Sequence, residues 1–126
     1  MVDLSPLQEK RYHRNIQVPC VGVEGQKKLL RPSALVVGAG GLGSPAAYYL
    51  VAAGIGRLGL ADGDVVDLTN LQRQILHFTP DLGRPKVESA TDKLRALNPD
   101  CEVVPHNFVV TAENATQLVA QYDLVI

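Results

Sequence analysis

The chain has only two cysteines, Cys20 and Cys101, far apart and in no Cys-x-x-Cys pair. This argues against a zinc site and against a disulfide framework. Charge of either sign is not in excess: the formal net charge is −1, so nothing points to nucleic acid or an anionic membrane as a partner. No apolar run approaches the roughly 18 residues of a membrane span, and Met1 to Lys10 lacks the basic-then-apolar pattern of a secretory signal. Repeats, low-complexity tracts and an internal linker are missing as well. What remains is a globular composition, 46% hydrophobic and 20% charged, in a length suited to one domain with a real core. The expectation is a soluble cytoplasmic protein with reduced thiols, each cysteine an ordinary buried or half-buried residue.

The first thirty-two residues differ from the rest and read as an N-terminal helical arm (1–32). Ser5-Pro6 suits an N-cap and first helical position. A second helical stretch, Val23 to Leu30, is stopped by Arg31-Pro32, because proline disfavours a helical residue before it. From residue 33 to 126 strand and helix alternate. Ala34 to Val37 is a short apolar run of the kind buried on both faces of a parallel sheet. Leu42 to Ala53 reads as a helix closed by Gly54, with Pro45 tolerated in its first turn. Arg57 to Ala61 is a second strand, Pro85 to Leu97 an amphipathic helix and Glu102 to His106 a third strand. Thr111 is expected to open a further helix with Glu113 in its first turn, and Tyr122 to Ile126 a fourth strand. The pattern predicts an α/β, Rossmann-like βαβ fold with a mainly parallel sheet. A chain stopping on such a strand reads as truncated, with an open apolar edge expected to drive self-association. A clean monomer by sedimentation over a wide concentration range would refute that association.

Gly38-Ala39-Gly40-Gly41-Leu42-Gly43 fits G-x-G-x-x-G between a strand and a helix. Glycines there permit a tight turn and close approach of backbone N–H groups to a phosphate. Asp62, at the end of the second strand, stands where a Rossmann-type fold sets a carboxylate against a ribose hydroxyl. These features alone fit an NAD-dependent oxidoreductase as well as an ATP-dependent enzyme. Asn70, Arg73, Gln74 and Lys86 break the tie, because a triphosphate concentrates charge that arginine and lysine can hold.

Together Gly38 to Gly43, Asp62-x-Asp64, Asn70-Leu71-Gln72-Arg73-Gln74 and Gly83-x-Pro85-Lys86 resemble the E1-like activating enzymes, most closely the MoeB/ThiF/HesA branch. Arg11-Tyr12-x-Arg14-x-Ile16 and Gly25-Gln26 match the same branch. The resemblance implies binding of Mg-ATP and of the C-terminal Gly-Gly tail of a ubiquitin-like, β-grasp sulfur-carrier protein of the molybdopterin or thiamin type. The tail carboxylate would be adenylated and later converted to a thiocarboxylate. It further implies that Gly38, Gly40, Gly41 and Gly43 lie against the phosphates and Asp62 against the ribose, with Asp64 nearby. Asn70, Arg73 and Lys86 would hold the triphosphate with Gln74 beside them, Thr69, Leu71 and Gln72 would also contact the nucleotide, and Arg14, Arg73 and Lys86 would be the catalytic groups. Arg14 would reach into the partner subunit of a homodimer. The aspartate that organises Mg2+, the zinc cysteines and the reactive cysteine of the family have no counterpart in these 126 residues. A non-catalytic nucleotide-binding or dimerisation fragment is the competing expectation. His13, His77 and His106 receive no role.

Overall fold

Ser5 accepts the backbone N–H of Gln8 and Gln8 returns a side-chain bond to the Ser5 N–H, a reciprocal cap that starts helix α1 (Pro6–Arg11) with proline at its first position. The computed structural model describes residues 2–126. The arm continues as α2 (His13–Ile16) and α3 (Gly22–Leu29). Tyr12, at φ −97° and ψ 15°, separates α1 from α2.

Four strands follow: β1 (Ser33–Val37), β2 (Arg57–Ala61), β3 (Glu102–His106) and β4 (Leu124–Val125). All pair in parallel, in the order β3-β2-β1-β4, the arrangement of a nucleotide-binding Rossmann half. Helices α4 (Gly43–Ala53), α5 (Lys86–Leu97) and α6 (Ala115–Val119) connect them. Alternation along the strands sorts the core. Ala34 and Val36 of β1, Leu58 and Leu60 of β2 and Val103 of β3 face Ala47 and Val51 of α4 and Val87, Ala90 and Leu94 of α5. Leu35 and Ala61 point to the other face, covered by Leu118, Val110 and Tyr122. Tyr122 lies flat across β2 because Gly59 has no side chain: a Cβ there would stand 2.1 Å from the Tyr122 hydroxyl oxygen.

Gly54 closes α4 in the left-handed conformation, φ 93°, as the glycine signal predicts. The helix expected at Thr111 begins only at Ala115. Asn114 accounts for the difference: its Oδ1 accepts the Thr111 N–H and its Nδ2 donates to the Val109 carbonyl. This closes a turn that competes with helix and leaves Glu113 ahead of α6. The expectation for Cys20 also fails, since its side chain is exposed. Cys101 is buried, and burial pushes its thiol up to about 11. At neutral pH it is a poor thiolate.

The arm is bonded to the sheet domain. Tyr12, 1% exposed, donates its hydroxyl to Asp100 Oδ2 at 2.7 Å and accepts from Asn98 Nδ2 at 2.9 Å. Asn98 Nδ2 also donates to the Val51 carbonyl, and Gln26 Nε2 donates to the Ala53 carbonyl. These bonds satisfy the carbonyls at the C-terminal end of α4.

Candidate functional site

Glycine at position 38 takes φ 96°, a region L side chains rarely adopt, and there the chain leaves β1 and turns above the C-terminal ends of β1 and β2. The turn backbone is held at several points. Gly38 N–H donates to the Ala61 carbonyl at 2.7 Å, and Ser44 N–H donates to the Gly40 carbonyl at 2.9 Å. The Ala39 peptide is gripped on both sides: its N–H donates to Asp62 Oδ2 at 2.8 Å and its carbonyl meets His77 Nε2 at 2.9 Å. At Gly43 the requirement is space. A Cβ there would lie 1.8 Å from the Gly38 carbonyl oxygen.

Asp62 therefore braces the turn with one oxygen, while Oδ1 accepts the Asp64 N–H at 2.8 Å. Arg73 and Gln74 pack on the glycines from the far side. Arg73 Cδ stands 3.5 Å from where a Gly41 Cβ would be, and Gln74 Nε2 3.7 Å from that of Gly40. Arg73 is exposed and anchors Nη1 on the Thr69 carbonyl at 3.0 Å. Gln74 is buried, and its Oε1 has no hydrogen-bond partner. Lys86, the first residue of α5, is 6% exposed. Its nearest carboxylate, Asp64 Oδ2, lies 3.9 Å from Nζ, beyond hydrogen-bonding distance. A buried cation with so loose a partner and a buried carbonyl oxygen with none are unusual. Gln74 lies against Gly40 and Lys86 beside Asp64, and both suit a ligand that brings negative charge and donors.

Other expected residues are used locally. Asp67 accepts the Thr69 N–H and hydroxyl, and Asn70 Oδ1 accepts the Asp67 N–H. Both side chains thereby cap the short 3-10 turn Leu68–Asn70. Leu71 beside it is half-buried and Gln72 exposed. Arg14 is exposed on α2, bonded to Gln17. Its neighbours Tyr12 and Asn15 touch Gly54 and Ala53, at the opposite end of α4 from the glycine turn. An 11-residue helix spans about 16 Å, farther than an arginine side chain reaches.

Sequence reasoning gave no part to Phe108, Val109 and Val110. With Val37, Gly38 and Asp62 they line a hollow of about 220 Å³ beside the turn. A signal for it exists at Gly63, where a Cβ would meet Val109 Cγ2 at 2.7 Å. A larger hollow, about 570 Å³, lies in the arm near Leu4, Lys27 and Arg31. It is not favoured, because Lys27 is already paired with Asp3 and Glu24. The histidines also gain definition. His77 is 3% exposed and held between Ala39 and Ser89, and His106 Nε2 lies 2.7 Å from the Tyr122 hydroxyl.

Residues 12–126 match the ThiF family. The chain belongs to the ThiF family. Among relatives of this ThiF-family chain, the "Probable adenylyltransferase/sulfurtransferase MoeZ" of Mycobacterium tuberculosis is 47% identical over 123 residues, covering 98% of this chain and 31% of the relative. The sulfur carrier protein adenylyltransferase of Thermus thermophilus is 50% identical over 116 residues, covering 92% of this chain and 43% of that protein. Among solved structures, the E. coli tRNA N6-threonylcarbamoyladenosine dehydratase TcdA in complex with ATP superposes with a TM-score of 0.91 at 32% identity, covering 98% of this chain and 51% of that one. The ThiF-family chain thus spans between about a third and a half of the length of these proteins.

Proposed function

We propose that this ThiF-family chain binds ATP over the Gly38–Gly43 turn and serves the adenylation of the C-terminal Gly-Gly carboxylate of a ubiquitin-like sulfur-carrier protein. The observation that carries the reading is unsatisfied polarity next to the glycine turn: Lys86, 6% exposed, with its nearest carboxylate 3.9 Å away, and Gln74, packed on Gly40, with an Oε1 that has no partner. The name of the Thermus thermophilus relative and the ATP complex of TcdA support it. In this reading the phosphates lie along Gly40, Gly41 and the first N–H groups of α4. Arg73 and Lys86 neutralise the triphosphate, Asp62 accepts from a ribose hydroxyl, and Val37 and Phe108 flank the base. A carboxylate oxygen of the tail attacks the α-phosphorus. An acyl–O–P bond forms, the bond between the α-phosphorus and its bridging oxygen breaks, and pyrophosphate leaves with the electron pair. The protein's part is alignment and charge neutralisation. Arg14, set at the far end of α4 from its own turn, would serve the partner subunit's site in a homodimer.

Calorimetric titration tests the nucleotide part directly. Mg-ATP is expected to bind and NAD+ not to, with Arg73→Ala weakening ATP about tenfold, the loss of one charge-assisted contact. Binding of NAD+ alone would overturn the proposal.

A second reading is a nucleotide-binding or dimerising module without catalysis of its own. ATP–pyrophosphate exchange with a carrier protein present separates the two. We expect exchange to be absent or very slow with these 126 residues, and fast exchange would reject the second reading.

A further inference from the structure

His77 is among the most buried polar residues of the chain and lies outside the proposed contacts to nucleotide. Its partners fix its chemistry. The Ala39 carbonyl can only accept, so Nε2 must carry a hydrogen and donate to it at 2.9 Å. At 2.9 Å from Nδ1 stands Ser89 Oγ, which in turn lies 2.8 Å from Lys93 Nζ. The ammonium only donates, so the Ser89 hydroxyl receives from Lys93 and gives its own hydrogen to Nδ1. Lys93 continues to Asp81, a carboxylate that also accepts from Arg84 and from the Phe78 N–H. Donation therefore runs from Lys93 through Ser89 and His77 to the carbonyl of the peptide that precedes Gly40, and Lys93 is itself anchored on Asp81 in the turn Thr79–Asp81.

We propose that His77, as its neutral Nε2–H tautomer, is a positioning residue that fixes the spacing between the glycine turn and the start of α5. Gly40 and Gly41 are thereby set against Lys86. The proposal rests on the ATP reading for its purpose, while the tautomer and the hold on the turn stand on the bonds alone. Protonating Nδ1 would break the chain. The Ser89 hydroxyl hydrogen would lose its acceptor, and a third cation would join Lys86 and Lys93, which face the ring from α5, with Asp81 as the opposing charge. Burial, then Lys93 and Lys86, hold the imidazole below its ordinary 6.5 against the raising effect of the Ala39 bond and Asp81. Because the folded value is the lower one, the stability tied to this group is complete above pH 6.5 and is lost as pH falls through the folded value.

The test combines nitrogen-detected NMR of the ring, amide hydrogen exchange and Mg-ATP titration on the 126-residue chain. It compares wild type with His77→Gln, His77→Leu and Ser89→Ala. The Nε2–H tautomer is expected in the wild type. His77→Leu should speed exchange at least tenfold at the Ala39 and Ser44 N–H groups, which the turn holds in hydrogen bonds, and weaken Mg-ATP by a similar factor. His77→Gln, whose amide N–H can still reach the Ala39 carbonyl, should stay within about threefold of the wild type on both readouts. Its ATP affinity should also lack the acid-side loss that follows His77 titration in the wild type. If His77→Leu does not fold, Ser89→Ala takes its place, with at least threefold faster exchange expected at the same two amides. An Nδ1–H tautomer, unchanged turn exchange in the folded variant, or identical acid profiles for wild type and His77→Gln would each overturn the proposal. A wild type that holds the turn but does not bind Mg-ATP would instead reject the ATP reading, with the tautomer and exchange data still deciding the part of His77.

Discussion

Gly43→Ala is expected to remove nucleotide binding and to lower stability by about 3 kcal/mol or more, at the upper end of overpacking effects. The added Cβ would lie 1.8 Å from the Gly38 carbonyl oxygen and 2.9 Å from its carbonyl carbon. Both are backbone atoms that cannot rotate away as a side-chain end could. Gly38 is itself held by its N–H bond to Ala61, so relief requires pulling α4 off β1, where Ala47 and Val51 are fully buried. Thermal unfolding should show a drop of roughly 10 °C or more. Gly41→Ala makes the contrast. Its Cβ meets nothing closer than Arg73 at 3.5 Å, an ordinary contact, so the fold should be unchanged while ATP is bound more weakly. A Gly43→Ala protein that melts with the wild type would show that the turn is far softer than its bonds imply.

Lys86→Met should separate stability from function in the opposite sense. In the free protein Lys86 is 6% exposed, and its one ion-pair partner among the described residues, Asp64, is 3.9 Å away on a side chain 73% exposed. A cation so placed loses hydration and regains little attraction, and an apolar residue of similar volume is often neutral or stabilising in its stead. Lys86→Met is therefore expected to unfold at the same or a higher denaturant concentration, by up to about 1 kcal/mol. Mg-ATP affinity should fall roughly a hundredfold, the scale of removing one buried charge from a paired anion. A variant that is strongly destabilised would mean that Lys86 is satisfied without ligand, and the main support for an anion site there would be gone.

The sequence made the elements around the turn readable because each carries a local signal that packing reinforces. An apolar run marks β1, glycines at fixed offsets mark the turn, and the left-handed Gly54 closes α4. The late helix was misplaced because Asn114 bonds back to Thr111 and Val109, a side-chain choice that spacing does not reveal. Phe108 to Val110 went unread since their role depends on three strand ends meeting, and His77 because its partners, Ala39 and Ser89, lie 38 and 12 positions away. Motif residues were better legible as a set than singly. Arg73 and Gln74 do reach the glycines, while the side chains of Thr69 and Asn70 cap their own turn. Arg14 carries a motif signal, and its distance from the turn could be known only after α2 was seen to dock at the other end of α4.

The bonds from Tyr12 to Asn98 and Asp100 join residues 86 and 88 positions apart. The arm is made before any of its partners, and it has nothing to dock on until β1, β2 and β3 are paired and α5 has closed over them. Parallel pairing through crossover helices is slow because long loops must close before contacts reward them. Docking of the arm therefore belongs to the last steps of folding. Until then Tyr12 and Gln26, both buried in the folded protein, remain in water, where a chaperone, a protease or another nascent chain can find them.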